Sequence, residues 1–206
     1  MALNTYSALQ TSMAKWLWRT GDTDTEAYIP DMIVLAEAHF NRKLRVSDMD
    51  AVSASLTVTD GVATQPTGFR SVRSIRETGT DHDQIKPKPI DEIERYSDLT
   101  TGQLQFYARV GAELHFWPRV STTVRLRYRE EIPALTDSNT SNWLLAKHPD
   151  LYLHTALASG EAFNMNDSRV AMWKALAMQA EAEVQDEDSG FHDDGLAMSP
   201  SVSVAV

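Results

Sequence analysis

The apolar residues of this 206-residue chain change their spacing twice, and that change most narrows the fold. Up to about residue 45 they recur every three or four positions, as one face of a helix does. Val52, Ala54, Leu56 and Val58 then alternate with Ser53, Ser55 and Thr57, and from about residue 149 the helical spacing returns. A helix-period pattern cannot sit in a strand, nor a strand-period pattern in a helix. The chain therefore reads as α+β: a bundle of about four longer helices, predicted over 4–20, 30–45, 149–165 and 167–188, with an antiparallel β-meander inserted over about 51–132. Residues 1–189 are expected to form a single domain and 190–206 an extended C-terminal tail.

Local signals place the helices. Asn4 is the expected N-cap of the first, whose buried stripe is Tyr6, Leu9, Met13, Trp16 and Leu17, and Gly21 is the expected stop. The second is expected to start at Ile29-Pro30-Asp31, with proline in the first helical position. It buries Ile33, Ala36, Phe40 and Leu44, and Arg42, Lys43 and Arg45 complement its negative end.

In the middle, Asp60-Gly61 suits a two-residue hairpin turn and Phe69–Glu77 reads as a strand. Ile90–Leu99 reads as a short helix; Asp91, Glu92 and Glu94 cluster at its start as dipole complements rather than metal ligands. Leu104–Arg109, Ala112–Trp117 and Thr122–Glu130 complete the meander. In the last of these, Val124, Leu126 and Tyr128 share one face and Arg125, Arg127 and Arg129 the other, so three cations stand about 7 Å apart in one line. They are the candidate interaction strip.

Charge and composition exclude several functions. Against the net charge of −10, residues 1–50 carry 5 cations and 7 acids, residues 51–130 carry 11 and 10, and residues 131–206 carry 3 and 12. A DNA reader needs a basic stripe to neutralise phosphates, and this balance disfavours one. Zero cysteines exclude disulfides, thiolate metal sites and a cysteine nucleophile. The longest apolar run, Met32–Ala36, is far short of a bilayer span, and Met1–Arg19 lacks a basic leader followed by an apolar stretch. A soluble, unexported chain is expected.

The stretch 142–160 gathers a tryptophan, a proline and two histidines. Asn139 or Ser141 can cap a short turn over Trp143–Leu145, and Pro149-Asp150 restarts the helix, whose stripe is Leu153, Ala156, Leu157, Gly160 and Phe163. An enzyme or small-ligand domain would have to be built on His148, Asp150 and His154. The spacing of the two histidines matches no metal motif, no third ligand is evident, and no nucleophile elbow or phosphate loop accompanies them. Both read as structural, and no catalytic residue, metal or cofactor is expected. In the final helix Val170, Trp173, Ala177, Ala180 and Val184 repeat at three and four, a narrow seam where a second helix can approach closely. Val202, Val204 and Val206 alternate at the C-terminus and would suit a strand added to another subunit's sheet.

Taken together, "YIPDMIVLAEAHFNRKLR", "LHFWPRVSTTVRLRYREEIPALT" and "NWLLAKHPDLYLHTAL" resemble the head-to-tail adaptors of tailed bacteriophages in their order and spacing over most of residues 5–185. The resemblance implies a non-enzymatic ring, typically of twelve copies, between the portal at the capsid vertex and the tail or nozzle. Double-stranded DNA would pass through it without specific binding. The implied location is the neck of the virion, reached from the host cytoplasm during assembly, with no membrane partner. It implies that the arginine strip, the helical seam and the tail valines are protein interfaces, and that the tail reaches towards the portal.

Overall fold

The structure is a computed structural model and describes residues 3–79, 84–96, 98–163, 165 and 167–194. The chain divides into two compact units, one drawn from its two ends, up to Asp48 and from Ile132 on, and one from Met49–Glu131. The architecture is α+β, as the two changes of period predict.

The helical unit holds α1 (Tyr6–Trp16), α2 (Thr23–Lys43), α4 (Trp143–Lys147), α5 (Pro149–Phe163) and α6 (Asp167–Asp194). Thr5, not Asn4, caps α1: its hydroxyl accepts from the Ala8 N–H at 3.3 Å. The helix ends before Gly21. Trp18, at φ 55°, takes the left-handed position there, while the N–H groups of Trp18 and Arg19 donate to the carbonyls of Lys15 (3.1 Å) and Ala14 (3.0 Å). Leu9, Met13 and Leu17 are buried as expected, but Trp16 is half exposed.

Helix α2 starts at Thr23, well before Pro30, because Asp22 caps it strongly. The Asp22 carboxylate accepts from the Asp24 and Thr25 N–H groups and from the Thr25 hydroxyl at 3.1 Å; these bonds, the Thr25 N–H first, hold its carboxyl below the usual range. Pro30 therefore lies inside the helix and leaves the Glu26 carbonyl without its usual donor. Burial of Ile29, Met32 and Ile33 around it offsets that loss. Arg45 falls beyond the helix end, in non-helical backbone. The Phe40 and Tyr152 rings meet edge to face at 4.9 Å, joining α2 to α5.

The cap of α4 is Asn142 rather than Asn139 or Ser141, with Oδ1 accepting from the Leu145 N–H at 2.8 Å. Pro149 opens α5 as expected, and α5 buries a wider arc than its predicted stripe, including Leu151, Tyr152 and Ala158. Phe163 departs from that stripe and is half exposed. Helix α6 continues through Gly190 to Asp194, beyond the predicted end at 188. One glycine costs about 1 kcal/mol in a helix interior, too little by itself to stop so long a helix.

The β unit contains two sheets and the single-turn helix α3 (Ile90–Ile93), shorter than the predicted Ile90–Leu99. One sheet, in the order β1-β7-β3, comprises β1 (Asp50–Val58), β7 (Thr122–Glu130) and β3 (Phe69–Glu77), all antiparallel. The other, β2-β6-β5-β4, comprises β2 (Val62–Thr64), β6 (Glu113–Trp117), β5 (Phe106–Val110) and β4 (Lys86–Pro87), with β4 parallel to β5. The meander expectation needs correcting: β5 and β6 form a hairpin, but β7 leaves them and becomes the central strand of the first sheet. Alternation specifies which face of a strand is buried and is silent about its neighbours. Val58, Ile75, Leu114, Phe116, Val124 and Leu126 from both sheets share one core. At the Asp60-Gly61 turn both residues have positive φ (50° and 74°), and Thr59 and Val62 exchange hydrogen bonds of 2.8 and 2.9 Å, the two-residue geometry expected.

Candidate functional site

Strand β7 turns Val124, Leu126 and Tyr128 into the core and leaves Arg125 and Arg127 exposed on the opposite face. Arg129 differs from them. The register sets Asp50 of β1 against it, its Nε lies 4.0 Å from Asp50 Oδ1, and its side chain is only 11% exposed. Asp50 also receives Arg73 Nε at 3.2 Å. The third member of the predicted strip is thus held within its own sheet. On the other edge of β7, the register places Arg76 opposite Arg125 and Ser74 opposite Arg127, and these four residues line a concavity of about 260 Å³. The sequence reading missed Arg76. Its place beside buried Ile75 marks it as outward-facing, but only the strand order brings it to β7.

The α6 seam faces its own chain. Trp173 is 3% exposed and Ala177, Ala180 and Val184 are buried, while Val170 is half buried. The Trp173 ring meets Trp16 edge to face at 5.5 Å and stacks on His154 at 5.7 Å. Arg169 on α6 pairs with the buried Glu161 of α5 at 3.0 Å. The close approach read from the small residues is made by helices of the same chain: Trp173, Ala177, Ala180 and Val184 are buried within it, and Val170 keeps part of its surface exposed. Val202, Val204 and Val206 lie outside the described residues.

The histidines are not brought to one site. His148 is the C-cap of α4 and its N–H donates to the Leu144 carbonyl at 2.8 Å. It lines a groove of about 560 Å³ with Asp48, Lys147 and Glu187, among others, whereas neither Asp150 nor His154 reaches that groove. His154 is half buried against Trp173. Among the described residues, no group of three or more His, Asp or Glu side chains is arranged to hold a metal ion. Of the acids at α3, Glu92 acts locally: Lys88 donates to it and, at 2.6 Å, to the Tyr96 hydroxyl, and lies 4.3 Å from the Phe106 ring centre. The Lys88 hydrogen bond holds the Glu92 carboxyl below its usual range, and the same bond raises the Lys88 ammonium.

The apolar surface of the helical unit was invisible to stripe counting. Trp18, in the connection after α1, is 84% exposed, and Met165, between α5 and α6, is 89% exposed; both have positive φ. Tyr28 and Phe163, each about half exposed, pack ring to ring at 4.9 Å. Leu35 of α2 and Met178 of α6 are also exposed and flank a groove of about 400 Å³ that includes His39 and Glu181, 3.2 Å apart. A left-handed conformation is unfavourable for bulky residues, so solvent-facing tryptophan and methionine there are conformationally costly as well as poorly hydrated. Such surface is suited to contact with protein.

Comparison with known families is consistent with surfaces of this kind. The model of the SU10 adaptor protein family matches residues 4–199, nearly the whole chain. The chain belongs to the SU10 adaptor protein family. It is thus a bacteriophage head-to-tail adaptor, a structural virion component, and its resemblance to that class rests on the helix–sheet–helix order now seen in the fold. No curated protein matches the chain. Among the described residues of this adaptor, no helix is long and apolar enough to cross a membrane.

Proposed function

We propose that this adaptor closes into a ring of twelve copies in the neck of the virion, between the portal and the tail or nozzle protein, after assembly in the host cytoplasm. Double-stranded DNA passes through the ring without specific binding, and the C-terminal tail reaches towards the portal from the end of α6, which takes up Gly190–Asp194. The observation that carries the reading is the exposed apolar surface of the helical unit, headed by Trp18 and Met165. A surface of that character is costly in water and is stabilised when a partner covers it. Net charge −10 supports passage rather than capture of a duplex, because an acidic surface repels phosphate.

The test is to mix the purified chain with its portal and measure mass by native mass spectrometry, with imaging of the product. A portal-bound ring of adaptor copies is expected. A chain that leaves the portal's mass unchanged, or virions with no copies at the capsid vertex, would overturn the proposal.

A further inference from the structure

Three guanidinium groups converge on one face of the β unit with no described carboxylate to meet them. Arg76 and Arg125 are directly opposed across the β3–β7 pair and Arg127 follows on the same face, with Ser74 completing the concavity. Arg73 and Arg129 of the same sheet both pair with Asp50, whereas none of these three pairs with an acid among the described residues. Like charges set opposite each other destabilise a strand pair unless an anion lies between them. The surface is therefore incomplete without an acidic partner.

The chain itself carries the complementary surface. No lysine or arginine follows Lys174, while residues 175–206 hold seven acids, all of them between Glu181 and Asp194. Within α6, Glu181 is engaged with His39 and Asp188 with Ser47; Glu183, Asp186 and Glu187 are exposed, Glu183 accepting only from the neighbouring exposed Gln179 at 2.9 Å among the described residues. Spaced three and four apart, these last three lie on one helix face with about 5–6 Å between neighbours. Residues two apart on β7 stand about 7 Å from each other, so the two arrays match in scale.

We infer that the exposed acids of α6, Glu183, Asp186 and Glu187, dock on the Arg76–Arg125–Arg127 concavity of a second copy of this chain. The inference rests on the ring reading and names the contact that makes the ring. Arginine forks bind carboxylates bidentately and so fix register as well as attraction. Because the two surfaces differ and lie on one chain, the contact can repeat head to tail from copy to copy, and contacts of that kind close into a ring where the rotation between copies allows it. A duplex is the weaker fit: it calls for an extended basic track, and Asp50 interrupts this one at Arg129.

A charge swap tests it. One variant carries Arg76→Glu, Arg125→Glu and Arg127→Glu; the other carries Glu183→Lys, Asp186→Lys and Glu187→Lys; matching sets of glutamine substitutions serve if either fails to fold, as judged by circular dichroism. Self-association is measured by sedimentation at low salt and, with portal present, by native mass spectrometry. Each variant alone should associate at least about tenfold more weakly than wild type, and an equimolar mixture of the two charge-reversed chains should recover it. Neutralised sets should weaken association and steepen no salt dependence. Wild-type-like association by either variant alone overturns the inference while leaving the ring intact, as does a mixture of folded, charge-reversed chains that does not recover. Loss of duplex DNA binding by the arginine variant, with self-association unchanged, assigns the concavity to phosphate and overturns it too. Wild-type chains that associate neither alone nor on the portal remove the ring reading itself.

Discussion

Asn142 has a partner for each kind of polar atom in its side chain: Oδ1 accepts from the Leu145 N–H at 2.8 Å, and Nδ2 donates to the Pro133 carbonyl and the Tyr152 hydroxyl, both at 2.7 Å. Tyr152 in turn donates to Glu37 Oε1 at 3.3 Å, which also accepts from the Leu135 N–H at 2.8 Å. One buried network thus pins the segment entering α4 to α2 and α5. Asn142→Ala removes a helix cap and strands buried acceptors, and is expected to cost about 2–4 kcal/mol in urea unfolding. Asn142→Asp keeps the cap but loses both donors, so it should rescue little. Burial raises the Glu37 carboxyl above its usual value against the lowering effect of its two hydrogen bonds, and burial likewise raises the Tyr152 hydroxyl. The native chain therefore holds the Glu37 proton to higher pH than the unfolded chain does. That contribution to stability is complete below about pH 4.5, the unperturbed value, and is lost as pH rises through the raised native value. Glu37→Gln, with no proton to lose, should gain stability relative to wild type between pH 4.5 and pH 7, read as the difference in Tm across that range. A difference that stays constant with pH would show that Glu37 titrates alike in both states.

At the scale of elements, the turn joining β1 to β2 allows a controlled comparison. Gly61 sits at φ +74° and a Cβ there would lie 2.9 Å from the Arg119 Cα, whereas at Gly79, φ +84°, a Cβ would meet no atom of the described residues within 4 Å. Gly79→Ala should show only the cost of the left-handed conformation, about 1 kcal/mol; Gly61→Ala adds a backbone clash and should cost about 2–4 kcal/mol in thermal unfolding. Equal losses at both sites would mean that the turn yields without resistance. Which elements exist was largely legible in the sequence, because amphipathic spacing is a local property: β3 and β7 run over the predicted residues, Pro149 opens α5, and Asp60-Gly61 makes its turn. What was not legible depended on competition or on distant partners. Pro30 reads as a helix start until the stronger Asp22 cap is weighed against it, and Gly21 reads as a stop although Trp18 already closes α1. The arginine strip was two-thirds visible, since alternation shows a face, but the removal of Arg129 by Asp50 and the arrival of Arg76 follow from non-local register.

At the scale of the whole molecule, the insertion of a β unit into a helical one is explained by where that unit's ends emerge. Its first and last strands, β1 and β7, pair with each other, and Asp50 stands opposite Arg129. Paired residues in an antiparallel ladder have Cα atoms about 4.5–5.5 Å apart, so the chain enters and leaves the unit side by side. A host interrupted there has to span only a short gap, and closing so short a loop costs little conformational entropy compared with ordering a long one. The unit also owns its core, with Val58, Ile75, Leu114, Phe116, Val124 and Leu126 buried together. Two expectations follow from the same geometry. Met49–Glu131 produced alone should unfold cooperatively on heating, since its strands close on themselves and bury their apolar faces within it. The remainder, with Asp48 joined to Ile132 through a linker of about four glycine and serine residues, should retain helical circular dichroism and a cooperative transition, because the Glu37–Tyr152–Asn142 network and the Trp173 contacts all lie inside it. A non-cooperative melt from either piece would show that each unit needs the other to fold. If both pieces fold, portal binding can be assigned to one of them: the apolar residues Trp18 and Met165 remain with the helical piece, so that piece should retain portal binding while Met49–Glu131 alone should not.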